Sequence, residues 1–236
     1  MRLTIDTMNE HLDNQSEAQN RTYATQFFFR KGETTKNVKI LLNAISEVPA
    51  FRTHTITRIS KKGKPYFQEV GCLGDNCPFC RKAHETEGKG NVSFAHDRIV
   101  IPLVDMDYTN DEGQKVPTVA YWVRSSNFYR NNLAFYTSKF AGLLDGYIEV
   151  DKTGSGTSTN YTLFPANTQN LPELKSNDTY IKDFEVDIEK DLKSIIIDWT
   201  ADQMEKFLGN NTNVEVPFYD SKEQPPVQRR VATHGF

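Results

Sequence analysis

The sequence has no uninterrupted apolar run of about 18 residues, the length that a membrane-spanning helix needs. Its first residues, MRLTIDTMNEHLDNQ, are polar and have neither the charged start nor the apolar centre of a secretion signal. We therefore expect a soluble protein of the cytoplasm with no membrane partner.

Cysteine is scarce, with three residues in a chain of 236, and all three lie in the stretch CLGDNCPFC at 72–80. An odd number of cysteines cannot pair completely into disulfides, and a chain of this length can bury a core without them. The crowded thiols indicate a reducing compartment, where cysteines remain available as metal ligands or nucleophiles.

The sequence motifs of common enzyme classes are also missing. The chain has no Walker loop, no convincing pair of catalytic carboxylates and no nucleophile elbow. A zinc deaminase needs His-x-Glu ahead of Pro-Cys-x-x-Cys, and the tripeptide His54-Thr55-Ile56 lacks that glutamate. We therefore expect a binding protein and not an enzyme.

Positive charge is in the minority, because the net charge is −3, but it is unevenly distributed. Residues 52–98 contain nine Lys or Arg against five Asp or Glu, whereas residues 171–236 contain eight against thirteen. A basic block followed by an acidic block indicates that one face alone binds a polyanion.

Short alternating apolar segments separated by turn residues dominate the chain, without the regular strand-and-helix alternation of a parallel sheet. This pattern favours a Greek-key barrel that is mainly β with inserted helices. We predict a helix at 125–144 and a β-hairpin at 146–165. Residues 1–22 are predicted to be a flexible arm, 23–208 the core, and 209–236 an extended tail.

The three cysteines have the spacing Cys72-x4-Cys77-x2-Cys80. A Cys-x2-Cys pair at the tip of a turn is typical of a zinc knuckle. The favoured candidates for the fourth ligand are His54, across a predicted hairpin from Cys72, and His84, one helical turn after Cys80, with His96 and His11 far behind them. Four protein ligands leave no open coordination position, so we expect a structural Zn²⁺.

Cysteines at this spacing can also serve roles that need no metal. Buried free thiols fill cores, but they seldom cluster with Gly, Asp and Asn between them. A Cys-x2-Cys redox pair expects a strand-helix-strand context and leaves Cys72 without a role. A catalytic Cys/His pair stays open, although no cysteine-hydrolase signature surrounds these residues. The pattern favours structural zinc over all three.

Aromatic residues make up 11% of the chain, and several lie beside Lys or Arg. This pairing is typical of proteins that bind single-stranded nucleic acid, in which rings stack on bases and cations follow the phosphates. Alternation along 116–124 places Trp122 and Arg124 on one face, which we expect to meet the ligand. The predicted contacts with the strand are Arg58, Lys61, Lys62, Lys64, Tyr66, Arg98, Tyr108, Trp122, Arg124, Arg130, Lys139 and Lys152.

Four segments carry a family resemblance: FFFRKGETTKNVKILLN, RISKKGKPYFQEVGCLGDNCPFC, YWVRSSNFYRNNLAFYTSKF and GYIEVDKTGSGTSTNYTLFP. They resemble the single-stranded DNA-binding (helix-destabilising) proteins of T-even bacteriophages and related phages, over most of residues 25–165. The resemblance implies an OB fold, a five-stranded Greek-key barrel, with a small zinc-binding subdomain at about 52–97. In that family one His and three Cys bind the zinc, which here would be His54, Cys72, Cys77 and Cys80.

The resemblance also implies a function: coating exposed strands in phage DNA replication, recombination and repair, without strong sequence preference, in the host cytoplasm. Phage replication and recombination proteins would be its partners. An RNA-binding or transcription-related zinc protein, and a zinc-dependent hydrolase, are the alternatives.

Two features depart from the family pattern. The first residues are not basic, so self-association through such a segment is not supported. The chain ends in QRRVATHGF instead of an acidic tail. Partner proteins would then bind another surface, for which the acidic stretch 183–191 is the candidate.

Overall fold

The computed structural model describes residues 24–59, 63, 65–110 and 112–209. Within these residues the strands are β1 Thr35–Ile40, β2 Ala50–Ile59, β3 Pro65–Gly71, β4 His96–Asp105, β5 Thr118–Ser125, β6 Ile148–Thr153, β7 Asn160–Pro165 and β8 Ile196–Ile197. The α-helices are α1 Pro78–Glu85, α2 Ser126–Phe128, α3 Phe135–Lys139, α4 Asn177–Asp183, α5 Ile188–Ile195 and α6 Ala201–Gly209. A π-helical turn, Tyr129–Ala134, joins α2 to α3, and short 3-10 turns lie at Ile45–Glu47 and Gly156–Ser158.

The eight strands form one sheet in the order β7-β6-β1-β4-β2-β3-β8, and β5 pairs with β4 off this path. β5 runs along one edge of β4, while β2 and then β1 occupy its other edge. Among the described residues these pairs do not close into a ring. The predicted class, mainly β with inserted helices, is confirmed, and the finer prediction of an OB fold stays a prediction.

Pro102 lies in the middle of the central strand β4, although a proline predicts a strand edge or a bulge. Its carbonyl accepts a hydrogen bond from the Leu41 N–H at 2.9 Å, so its nitrogen faces the same edge. At that point β2, which pairs with 96–99, gives way to β1, which pairs with 103–105. The missing N–H therefore removes no ladder hydrogen bond, and the predicted edge position is wrong.

Apolar side chains cover both faces of the sheet. One face packs Val38, Ile101 and Trp122 under the helical segment of α2 and α3. The opposite face packs Tyr121 and Tyr180, with α4 and α5 above it. A third apolar cluster joins β2, β3 and α1 to β8 and α6, and we call these five elements the cysteine module.

Several local predictions can be compared with these elements. The hairpin of β6 and β7 is confirmed, and the helical segment begins after a Ser125 cap but ends at Lys139, five residues earlier than predicted. The aromatic run FFFR at 27–30 also predicts a strand, and this prediction is wrong, because in the described residues the only pairing at this point is the bridge of Gln26 to Tyr121. No described helix has both the length and the apolar character needed to cross a membrane. The predicted arm at 1–22, and the predicted tail beyond Gly209, lie outside the described residues.

Candidate functional site

Four side chains of the cysteine module converge on one point. His54 lies in the middle of β2, and its Cα partner on β3 is Val70, two residues before Cys72. A turn at Gly74, with φ +82, then leads to Cys77, which caps α1, and Cys80 lies in the first turn of that helix. The ligand atoms of the four residues all lie within 4.8 Å of one another. These residues could hold a metal ion.

The distances between the ligand atoms fit tetrahedral coordination of a single ion. His54 Nε2 lies 3.5 Å from both Cys77 Sγ and Cys80 Sγ, and Cys72 Sγ lies 3.6 Å from Cys80 Sγ. A tetrahedron with Zn–S bonds of about 2.3 Å has edges of about 3.8 Å between sulfurs. The sulfurs are also too far apart for a disulfide, and the three cysteines are free.

The imidazole of His54 is held with Nε2 directed at the thiols. Its Nδ1–H donates to the carbonyl of Ser93 at 2.9 Å, which leaves Nε2 as the atom with a lone pair for a metal. Thr55, the next residue on β2, fixes Ser93 by exchanging two hydrogen bonds with it. Because His54 is fully buried, desolvation lowers its pKa and favours the neutral form that binds metals.

The thiols differ in their electrostatics. Burial opposes ionisation of Cys77, but backbone N–H groups of Leu73, Cys80 and Phe79 outweigh it and lower the pKa of this thiol. Burial, together with the neighbouring sulfurs of Cys72 and Cys77, raises the pKa of Cys80 to about 12. Three thiolates so close together repel one another, and a divalent cation removes that repulsion.

His84, the alternative fourth ligand, is not part of the cluster. Its side chain lies on the exposed side of α1, and its ring packs edge-on against Phe94 with 5.3 Å between centroids. Between the two histidines, the structure therefore places His54 at the cysteines. The reason is register: pairing of β2 with β3 sets His54 beside the turn that carries the thiols.

The support of this cluster extends beyond the predicted subdomain at 52–97. Phe79, fully buried, packs against His54, Trp199 and Phe207. β8 runs parallel to β3, and α6 is linked to α1 by an ion pair between Arg81 and Glu205 at 2.5 Å. The sequence did not reveal that α6 packs against α1.

The start of α6 is fixed locally. Thr200 and Gln203 have the spacing of a capping box, which predicts a helix start, and reciprocal hydrogen bonds between them confirm it. A local signal thus places the helix in the chain, while its packing against α1 depends on the tertiary fold.

A polar cleft lies where β4 begins and β5 ends, beside α2 and β7. Its walls include Arg98, Arg124, Ser125, Asn127, Asn131, Asn132, Asn160 and Tyr161. The guanidinium carbon of Arg124 lies 4.3 Å from the ring centre of Tyr161, and its Nη2 donates to the Tyr161 oxygen at 2.5 Å. Asn132 fixes this part of β7 through a hydrogen bond from Nδ2 to the carbonyl of Tyr161.

Trp122 does not line the cleft, contrary to the sequence-based prediction. The ring is 1% exposed and packs edge-on against Phe27, Phe128 and Tyr161 in the core. Since both faces of β5 are covered, its alternation does not separate a solvent face from a core face. Trp122 thus supports Arg124 from below, with 5.0 Å between the guanidinium carbon and the ring centre.

The remaining predicted strand contacts are dispersed. Arg58 is buried, 8% exposed, and lies over the ring of Tyr66, so it is not the exposed cation that the sequence predicts. Lys152 lies over Phe29, whose ring is 5.9 Å from that of Tyr161, which continues the cationic and aromatic surface beyond the cleft. Three further predicted contacts are exposed or partly exposed: Tyr108, Arg130 and Lys139. The remaining three, Lys61, Lys62 and Lys64, lie outside the described residues.

Glu69 links the cysteine module to the cleft, and sequence reasoning missed it. Its carboxylate accepts hydrogen bonds from Thr53 and Thr55, on either side of His54, and from Arg98 at the cleft. His96 Nε2 lies 3.2 Å away. Burial opposes ionisation, but these donors outweigh it and lower the pKa of Glu69 to about 2.

A Glu69→Gln variant is expected to be about 2 kcal/mol less stable than the wild type at pH 7, because it loses hydrogen bonds to a charged acceptor. A carboxyl whose pKa is lowered by folding stabilises the protein above its unfolded pKa of 4.5 and loses that contribution as pH falls towards 2. The difference in free energy of unfolding between the two proteins should therefore shrink between pH 5 and pH 3, measured by urea titration. A difference independent of pH would contradict this role.

Comparison with protein-family models and with curated proteins finds no match to the chain. The proposal of a function therefore depends on the chemistry of the His/Cys cluster and of the polar cleft. All four residues of the cluster could bind one ion, and a set of four protein ligands is typical of a structural site. The cleft joins an arginine to aromatic rings and side-chain amides, which are groups that bind nucleic acid.

Proposed function

We propose that this chain is a single-stranded DNA-binding protein of the kind found in T-even-type phages, with an OB-fold core and no catalytic activity. The observation that carries the proposal is a continuous row of cations on aromatic rings: Arg124 on Tyr161, and Lys152 on Phe29, with the two rings 5.9 Å apart. Such a row offers charge to phosphates and ring faces to bases, which suits strand binding without strong sequence preference.

In this proposal the metal is Zn²⁺, held by His54, Cys72, Cys77 and Cys80, and its role is structural. Bound zinc would supply a cation that neutralises the thiolates and fixes the hairpin of β2 and β3 against α1. Glu69 would transmit that order to Arg98 at the cleft, because it bonds to β2 on one side and to β4 on the other. Replication and recombination proteins of the phage would be the partners.

The protein is expected to bind oligo-dT far more tightly than duplex DNA of the same length, with an affinity that falls steeply with salt. Four to six phosphate contacts correspond to a loss of about 50- to 300-fold between 50 and 200 mM salt. Fluorescence anisotropy with labelled oligo-dT and a hairpin duplex measures both quantities. Equal affinity for duplex, or an affinity independent of salt, would refute the proposal.

Two further measurements separate the alternatives. Oligo-U in place of oligo-dT tests an RNA-binding protein, which should prefer the strand with 2′-hydroxyl groups. Metal analysis of the gently purified protein tests the zinc, with one equivalent expected per chain. A metal-free protein that still binds oligo-dT would remove zinc from the proposal and leave strand binding in place.

A further inference from the structure

Arg124 carries a charge that the described part of the chain does not balance. Nη2 donates to Tyr161, but Nε is buried and meets no acceptor among the described residues. Arg124 also takes part in no ion pair with an acidic side chain of the described residues, whereas the neighbouring Arg98 is paired with Glu69 at 3.0 Å. Of the two arginines at the cleft, Arg124 is therefore the one to which the described residues offer no counter-ion.

An arrangement of this kind destabilises the free protein. Burial lowers the pKa of Arg124, and the positive charge of Arg98 lowers it further, although the Tyr161 hydroxyl acts in the opposite direction. A buried donor without an acceptor carries a desolvation cost, and that cost is higher for a charged group. An acidic side chain could have removed it, yet the lining of the cleft contains amides, hydroxyl groups, apolar side chains and Arg98, and no carboxylate among the described residues. Within the described residues the charge of Arg124 thus has no counter-ion, and the cleft that Arg124 lines is where a ligand can supply one.

We propose that Arg124 binds a single backbone phosphate of a nucleic acid strand in the polar cleft, an inference that rests on the function proposed above. A guanidinium offers two parallel N–H donors, which match two phosphate oxygens. The Tyr161 oxygen accepts from Nη2, so its own O–H can donate to the same phosphate. The amides of Asn127 and Asn131 line the same cleft and supply neutral donors.

The arrangement also distinguishes a phosphate contact from base stacking at this position. The guanidinium has aromatic rings close by already, with centroids of Tyr161 at 4.3 Å, Trp122 at 5.0 Å and Phe128 at 5.9 Å. Because these rings already surround the guanidinium, we do not expect a base to stack on it. The N–H groups of Arg124 can still donate hydrogen bonds, and phosphate oxygens accept them.

The test compares Arg124→Gln with the matched control Arg52→Gln, in the full chain, by anisotropy with labelled oligo-dT from 50 to 300 mM NaCl. Arg52 is exposed on β2 and lies 3.9 Å from Asp97. We expect Arg124→Gln to bind about tenfold more weakly, and its slope of log affinity against log salt to be smaller by about 0.7, the value for one phosphate contact on a single strand. Arg52→Gln should change neither quantity by a comparable amount.

Each outcome decides the inference. A weaker affinity with an unchanged slope would mean that Arg124 acts on the bases or on the fold, which overturns it, and so would an unchanged affinity. If the wild type itself does not bind oligo-dT, that result refutes the proposed function and not only the role of Arg124.

If circular dichroism shows that Arg124→Gln does not fold, Arg124→Lys takes its place. It keeps the charge but loses the planar pair of donors, so about threefold weaker binding with an unchanged slope is expected, and unchanged binding would overturn the inference.

Discussion

A His54→Ala variant is expected to lose its metal and, with it, on the order of 5 kcal/mol of stability. Metal binding contributes about 10–16 kcal/mol to folding in zinc-finger peptides, and three thiolates retain only part of that affinity. The substitution also empties a fully buried position whose ring packs against Phe79. Metal content measured after dialysis, and urea unfolding of the metal-loaded proteins, give the two effects separately.

The matched control is His84→Ala, because this histidine is exposed on α1 and lies outside the cluster. It should keep one equivalent of metal and unfold within about 0.5 kcal/mol of the wild type. If His84→Ala loses the metal and His54→Ala keeps it, the assignment of His54 as the fourth ligand is wrong. If both variants keep the metal, the ion is held by the thiols in some other way.

The two histidines also show which ligands of a candidate metal site can be predicted from the sequence. The spacing of the three cysteines is local, so the turn that presents them can be predicted from it. The fourth ligand depends on which residue of β2 lies beside that turn, and this register is set by pairing over 53–59 and 65–71. Alternation alone left both His54 and His84 open, because it describes each strand separately.

The prediction about Trp122 failed for a different reason. Alternation identifies a ligand-facing side only when one face of a sheet meets solvent. Here the helical segment after β5 covers one face, and α4 and α5 cover the other, so Trp122 and Tyr121 are both 1% exposed. The acidic stretch 183–191, the candidate surface for partner proteins, forms part of that cover, since Phe184 is in the core.

The extent of the cysteine module could not be predicted for lack of a local signal. α6 lies more than 100 residues after the cysteines, and its apolar residues indicate an amphipathic helix without naming its partner. Met204 contacts the cluster of His54 and the three cysteines directly, with its sulfur 3.8 Å from Cys77 Sγ. The contact is tertiary, and only the folded chain reveals it.

A Phe79→Ala variant is expected to lose about 3–5 kcal/mol, because the ring is fully buried between the metal cluster and α6. Phe67→Ala removes the same ring from a position that is 73% exposed on β3, so it should change stability by less than about 0.5 kcal/mol. Urea unfolding of both variants, at one metal concentration, provides the comparison. Equal losses would mean that the ring of Phe79 is not part of a packed core.

Coupling between Phe79 and Phe207 tests whether α6 stabilises the other elements of the cysteine module through direct packing. Their ring centroids are 5.7 Å apart, and Trp199 packs against both. Residues in contact show interaction energies of about 0.5–3 kcal/mol in a double-mutant cycle, whereas separate units add. The double variant Phe79→Ala/Phe207→Ala should therefore lose less stability than the sum of the single variants. If the losses simply add, the rings of Phe79 and Phe207 do not stabilise one another, and α6 contributes to the module independently of α1.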